Sequence, residues 1–316
     1  MRNGLIFAVL VLAALVAINA QDISSVGRVL AAWPLVLLAS LAAHLPQLLF
    51  TARAWLALLP RAERPRFRRL FMLRWYREAA DSLIPAGIVV GQAAVVRLLM
   101  RDGMGGGLAA GSAALGITLE AVSQALFTLL GLGAFLMLDH EAGTMGFLIG
   151  AGLAGLTSVG LVLVQRPPAL ALARRLLERL SRRWPRLNPA WIDRLQASLA
   201  RMHADRGALA QATLCYLGSW CMGAVEMFLL LNIMGHPISF AEALVLESFA
   251  QVIRSAGFLL PGAALVQEGG IVAAGALIGV PAGTALTAAL IRRTREILVG
   301  IVGLELWRRD EARGRA

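Results

Sequence analysis

Apolar residues run along this chain in blocks long enough to cross a bilayer, and stretches dense in arginine separate many of the blocks. A membrane-spanning helix needs roughly 20 predominantly apolar residues. Runs at 4–20, 29–50, 108–138, 143–165, 208–235 and 283–307 meet that need and predict about six transmembrane helices. The block "RAERPRFRRLFMLRWYRE" interleaves Phe67, Leu70, Phe71, Leu73 and Trp75 with arginines, which predicts an interfacial amphipathic helix over 61–78. Residues 166–206 hold ten arginines against three acidic residues, with leucines three and four apart. One or two further amphipathic helices are expected there, limited by Pro167, Pro168 and Pro185.

Two segments fit poorly as simple spans. The first, 78–100, follows one arginine block and runs into Arg97 and Arg101, so it enters and leaves on the same side. The second, 242–280, follows the short polar "GHP" outside and precedes the last inward span, so it enters and leaves on the opposite, external side. Both carry a mid-segment proline, which removes a helical hydrogen bond and leaves a carbonyl without its donor. In hydrocarbon such a group costs several kcal/mol unless protein or a wet cavity shelters it. The expected architecture is therefore all-α and polytopic, in a single integral membrane domain over 1–316, with two oppositely oriented re-entrant or broken helical hairpins. Glu78, Pro85 and Gln92 stand seven apart in the first segment; Arg254, Pro261 and Glu268 stand seven apart in the second. Two readings of that match stay open, an inverted internal repeat and coincidence in a short alignment.

Composition supports the membrane class: 58% of residues are hydrophobic, 16% are charged, and mean hydropathy is +0.71. The net charge of +11 rests wholly on arginine, since there is no lysine. The arginines flank apolar runs, so they mark cytoplasmic loops and contacts to anionic lipid headgroups rather than a nucleic-acid surface. By this rule both termini are cytoplasmic, in a bacterial inner membrane. Residues 1–20 read better as an uncleaved first helix than as a signal peptide, because Ile18 occupies a small-residue position. Cys215 and Cys221 lie six apart in an apolar run and four histidines are scattered, so neither a redox pair nor a metal site is expected.

The stretch "ADSLIPAGIVVGQAAVVRLL" resembles the proline-bearing segment of the lysylphosphatidylglycerol synthase transmembrane-region family, the flippase-like membrane proteins. "LLPGAALVQEGG" is similar to that family's second proline-and-glutamate segment. Asp81, Ser82, Leu83, Ile84 and Pro85 take the opening motif positions; Gly91, Gln92 and Arg97 take the later ones. Pro261, Gln267, Glu268 and Gly269 take those of the second segment. The nearest subgroup is the hopanoid-biosynthesis-associated membrane proteins. Asp81, Val90 and Gln92 depart from the family's Asn, Gly and acidic residue, which puts a proton-linked role at position 92 in doubt. The resemblance implies movement of a lipid, a hopanoid among the candidates, without the lysyl-transfer domain of full synthases.

Glu120, with Gln124 one turn on, lies in mid-run and costs about 2.5–3.5 kcal/mol to insert. It reads as a headgroup or proton-coupling group, or as an interhelical hydrogen bond. Arg254, Gln267 and Glu268 flank the second break, and Glu78, Asp81 and Gln92 the first; Pro85 and Pro261 make the breaks. Glu226 serves either a site or a neighbouring helix. Arg77 and Arg97 either snorkel or hold a lipid phosphate. Gly107 with Gly111, and Gly146 with Gly150, read as close-packing faces rather than a nucleotide loop. No catalytic constellation, cofactor motif or metal site is visible. The expected function is therefore a lipid translocase whose partners are membrane lipids and, beyond them, lipid-biosynthesis proteins. A lipid-modifying enzyme using Glu120 or Glu268 as base, and a membrane scaffold, are the alternatives.

Overall fold

The computed structural model describes residues 23–84, 86–138, 144–181, 190–257 and 263–314, with side chains at 23–32, 144, 147, 180–181, 254–257 and 263–267 excepted. Those residues are all helix and connection. The long elements are α1 (Ile23–Leu58), α4 (Gly106–Met137), α5 (Thr144–Val164), α8 (Arg206–Ile233) and α11 (Ala282–Arg313). Between them lie α2 (Phe67–Leu83), α3 (Gly87–Arg101), α6 (Pro167–Ser181), α7 (Ala190–Ala204), α9 (Phe240–Gly257) and α10 (Ala263–Leu277). A single 3₁₀ turn, Arg61–Glu63, precedes α2.

Among the described residues three helical stretches are long and apolar enough to cross a membrane: Trp33–Leu58, Gly106–Met137 and Arg206–Ile233. Leu148–Val164 and Pro167–Arg179, bent by 61°, make a fourth if the pair is one span. The expected run 4–20 lies outside the described residues. The run 283–307 is helical throughout, but Arg292, Arg293, Arg295 and Glu296 interrupt its apolar character. Large apolar side chains such as Leu38, Leu129, Met145, Leu156 and Ile301 point outward, while glutamates and arginines are buried. That inversion of the water-soluble pattern is what a lipid solvent selects.

The chain falls into two compact units. Unit 1 comprises residues 1–46, 126–153 and 220–296; unit 2 comprises 47–125, 154–219 and 297–316. The long helices α1, α4, α5, α8 and α11 contribute residues to both.

In unit 2, α2 and α3 form an antiparallel pair. The start of α3 lies against the end of α2, and Arg69 near the start of α2 pairs with Asp102 after α3 at 2.6 Å. The stretch 61–78, expected as an interfacial helix, corresponds to the 3₁₀ turn and the first part of α2. After the 3₁₀ turn, residues 67–83 form one helix, whose Leu70, Leu73 and Tyr76 are buried in the unit's core. Of the apolar positions in that block, Leu70 and Leu73 are covered by protein, Phe71 and Trp75 are partly buried, and Phe67 is exposed. Trp75 Nε1 donates to the Val299 carbonyl at 2.9 Å, tying this arm to α11. At the turn Ala86 has φ 55°, a left-handed conformation that costs an L-residue about 1–2 kcal/mol. Pro85 itself lies outside the described residues. The region expected to hold amphipathic helices at 166–206 forms α6 and α7, joined by Arg174–Asp193 at 3.1 Å.

In unit 1, α9 and α10 pack together in the same way, with Gly270 against Ile253. Ser239 caps α9 reciprocally with Glu242: Glu242 N–H donates to Ser239 Oγ at 3.2 Å, and Ser239 N–H to Glu242 Oε2 at 2.6 Å. The arms of both pairs are 15 to 18 residues long. At about 1.5 Å per residue they fall short of a bilayer core of about 30 Å. Glycines at 107 and 150 meet Arg194 and Val252 at distances that leave no room for a Cβ, so close packing explains them.

Two outcomes test this frame. A Cβ at Gly87 would sit 1.9 Å from the Ala80 carbonyl oxygen, a backbone atom that cannot yield. Gly87→Ala should therefore lower the thermal midpoint of the detergent-solubilised protein sharply, by about 1–3 kcal/mol or more of overpacking. Gly133→Ala, in open space, should not. The second outcome concerns Asp310, which receives Arg101 Nη2 at 2.6 Å and Arg69 Nη1. Burial raises its pKa, but the two guanidinium hydrogen bonds outweigh burial and hold it below the ordinary 3.8. The clasp then contributes fully above pH 3.8 and is lost as pH falls through the lower folded value. Asp310→Asn should lower the midpoint at pH 7, and the gap from wild type should close in acid.

Candidate functional site

Each helical pair faces a polar cavity within its own unit. In unit 2 the cavity is a small cleft lined by Trp55, Arg74, Arg77, Gln92, Ser112, Ala113, Gly116 and Tyr216. Helical spacing explains the arginines. Leu70, Leu73 and Tyr76 turn one face of α2 into the core, so Arg74 and Arg77, three apart, share another. Both reach Glu120 of α4: Arg74 Nη2 donates to Oε1 at 2.5 Å, and Arg77 Nη2 to Oε2 at 3.0 Å. A second bond from Arg74 Nη1 at 3.4 Å makes the first pair bidentate. Trp55 Nε1 donates to Ser112 Oγ at 3.2 Å, so its indole is held across to α4. Arg74 Nε and Gln92 Oε1 are buried without a hydrogen-bond partner among the described residues.

In unit 1 the cavity is a second small cleft, lined by Glu268, Ile271, Ala289, Arg292, Arg293 and Glu296. Behind it lies a buried ion network. Arg292 donates to Glu247 at 2.8 Å and to Glu226 at 3.2 Å; both carboxylates are fully enclosed. Ser40 Oγ donates to Glu226 at 2.5 Å, and Gln251 Nε2 to Glu247 at 2.6 Å. Arg295 lies 3.4 Å from Glu226 and donates to His44 Nδ1. Arg293 Nη1 bonds Glu296 at 3.1 Å on the cavity wall. Arg292 Nε and Arg293 Nε, like Arg74 Nε, lack a hydrogen-bond partner among the described residues.

Of the residues singled out in the sequence, Gln92 lines the first cavity and Glu120 binds its arginines, while Glu268 lines the second. Gln124 sits one turn beyond Glu120 on α4. Glu78 is half-buried on α2, one turn after Arg74, and Asp81 is exposed near the end of that arm. Arg97 is not at a cavity: it is exposed and pairs with Glu311. The side chains of Arg254 and Gln267 lie outside the described residues, as does Pro261.

The sequence is that of a known membrane family: it matches the lysylphosphatidylglycerol synthase transmembrane-region profile over residues 4–303. The chain belongs to that family. No curated protein and no solved structure matches it. Membership places this chain among membrane proteins of lipid metabolism or translocation. Within the lysylphosphatidylglycerol synthase transmembrane-region frame, the buried ion pairs stand out as the polar content of an otherwise apolar body.

The reading from sequence missed Arg74 as a partner of Glu120 because it sits in an arginine block that resembles a loop marker. It missed Arg292 and Arg295 because they fall within an apolar run, and Glu247, about two turns into α9, because it lies in a segment judged on its proline alone. The signal available for these was charge within a helix that otherwise reads as buried.

Removing one partner of a buried ion pair leaves an uncompensated charge, at a cost of about 3–5 kcal/mol. Glu120→Gln should therefore destabilise the protein strongly, since it strands two guanidiniums. Arg77→Gln should cost less, because Arg74 still holds Glu120. Thermal unfolding in detergent micelles measures both, and equal losses would contradict the shared pairing.

Proposed function

We propose that the protein moves an amphiphilic lipid between leaflets, its headgroup entering the polar cavities while its tails remain in hydrocarbon. The observation that carries this reading is the placement of buried charge: in a chain 58% hydrophobic, arginine and carboxylate side chains collect at two cavities, each beside a pair of short helices. Structural ion pairs could sit anywhere in the body. These sit beside short helices whose ends already require polar shelter. In this reading both pairs are re-entrant, dipping into the bilayer and returning, and six spans including 4–20 and 283–307 complete the domain. The protein then resides in a bacterial inner membrane with cytoplasmic termini, and the basic α6–α7 region contacts anionic headgroups. A hopanoid is one suitable substrate on the strength of the subgroup resemblance. No residue set here encodes ATP hydrolysis, so uphill movement would draw on an ion gradient or a partner.

Reconstitution tests the proposal. Proteoliposomes carrying a headgroup-labelled lipid should show leaflet exchange, followed by quencher access, well above that of empty vesicles. Gln92→Met, which keeps volume and removes the cavity amide without stranding a charge, should slow exchange about tenfold while leaving the thermal midpoint near wild type. Exchange at the empty-vesicle rate would overturn the proposal, and a new lipid species found by mass spectrometry would point to an enzyme instead.

A further inference from the structure

We infer that the two cavities are copies of one site, produced by internal duplication, and that each accepts the oxyanion of a phosphate-bearing lipid headgroup. Two pairs of helices are related by a single shift. The first arm-to-long-helix set, α3 and α4, begins at 87 and 106; the second, α10 and α11, begins at 263 and 282, each 176 positions later. Lengths match as well: 15 residues for α3 and α10, 32 for α4 and α11. The break prolines Pro85 and Pro261 obey the same shift in sequence.

The shift carries one cavity onto the other. Gln92, Ala113 and Gly116 of the first become Glu268, Ala289 and Arg292 of the second, and all six line their cavities. Glu120, which anchors the arginines of the first, becomes Glu296 on the wall of the second. Duplicated helices alone would bring equivalent backbone together. They would not require the cavity, the carboxylate and a guanidinium pair to recur in both places.

The arginines are the informative exception. Arg74 and Arg77 come from the first arm of their hairpin, and their shifted positions are Ala250 and Ile253. The second cavity takes Arg292 and Arg293 from its long helix, where the first has Gly116 and Ile117. The same chemistry is thus supplied from different helices, which inheritance of a fold does not explain and a shared ligand does. Arg74 Nε, Arg292 Nε and Arg293 Nε are buried without an acceptor among the described residues. A buried donor left unmet is costly, so these guanidiniums favour an oxygen ligand, while Gln92 Oε1 in the first cavity favours a donor. Phosphate offers several, and guanidinium binds it with charge-assisted, directional bonds.

That the ligand is a lipid rests on the translocase reading; that there are two equivalent oxyanion sites does not. The test counts binding on the purified full chain in detergent, with dihexanoyl phosphatidic acid as probe and native mass spectrometry with calorimetry as readouts. Two molecules should bind per chain. Arg77→Gln and Arg293→Gln, each leaving its carboxylate beside another arginine, should each weaken one site at least tenfold, and the double variant both. A single site lost in Arg77→Gln and untouched in Arg293→Gln would overturn the inference, as would binding indifferent to both. A parallel titration with inorganic phosphate separates the sources: phosphate binding at both sites without lipid binding would overturn the lipid assignment. Two intact sites without leaflet exchange would sink the translocase reading alone, and exchange with one site would sink this inference alone.

Discussion

The structure depends on the cost of holding charge away from water. In a lipid-facing body an isolated arginine or glutamate is expensive, and attraction to an opposite charge recovers that expense only with close geometry and additional hydrogen bonds. The observed networks meet those conditions. Glu226 receives a serine hydroxyl and lies against two arginines; Glu247 receives an arginine and a glutamine; Glu120 receives two arginines. Side chains so constrained can come only from helices held in fixed register. The ion pairs are therefore a demand on the fold as much as a product of it.

That demand bears on the short helical arms as well. An arm ending part-way through a bilayer leaves terminal backbone groups that hydrocarbon cannot satisfy, and polar side chains nearby make the same claim on shelter. Collecting both in one place confines the damage to a single pocket. Close helix contact follows at the turn, where Gly87 lies on the Ala80 carbonyl and Ala86 adopts a left-handed conformation. A backbone strained at such a turn, beside a cavity with unmet donors, is the sort of local cost that persists where surrounding structure overdetermines it.

Much of this was legible in the sequence, and the limits have physical causes. Helical class and membrane solvent follow from apolar run lengths, and prolines at 85 and 261 announce the interruptions. Glu120 was visible because a lone carboxylate in an apolar run has no other excuse. Its partners were not, because Arg74 and Arg77 belong to a block whose density imitates a loop, and only the burial of Leu70, Leu73 and Tyr76 shows that α2 continues through it. Arg97 shows the reverse case: a motif position drew attention to it, while the structure engages it with Glu311 away from either cavity. Position in a motif does not say which way a helix face turns.

The repeat makes the same point at larger scale. A seven-residue spacing around each proline was readable, yet too short to separate kinship from chance. The longer correspondence, Glu120 with Glu296 at the same 176-residue shift as Gln92 with Glu268, was also present in the letters. It carried no weight there because Glu296 sits among arginines and looks like an ordinary salt-bridged residue. Only the cavities give those positions a common meaning, by showing that both line or anchor a small cleft. With that in place, the differences between the halves become informative. An amide at 92 faces a guanidinium pair, whereas a carboxylate at 268 shares its wall with one, so the two pockets present different net charge to the same chemistry. A pair of sites alike in their repeat positions and unlike in charge would bind one headgroup with unequal strength, which alone sets occupancy and not direction.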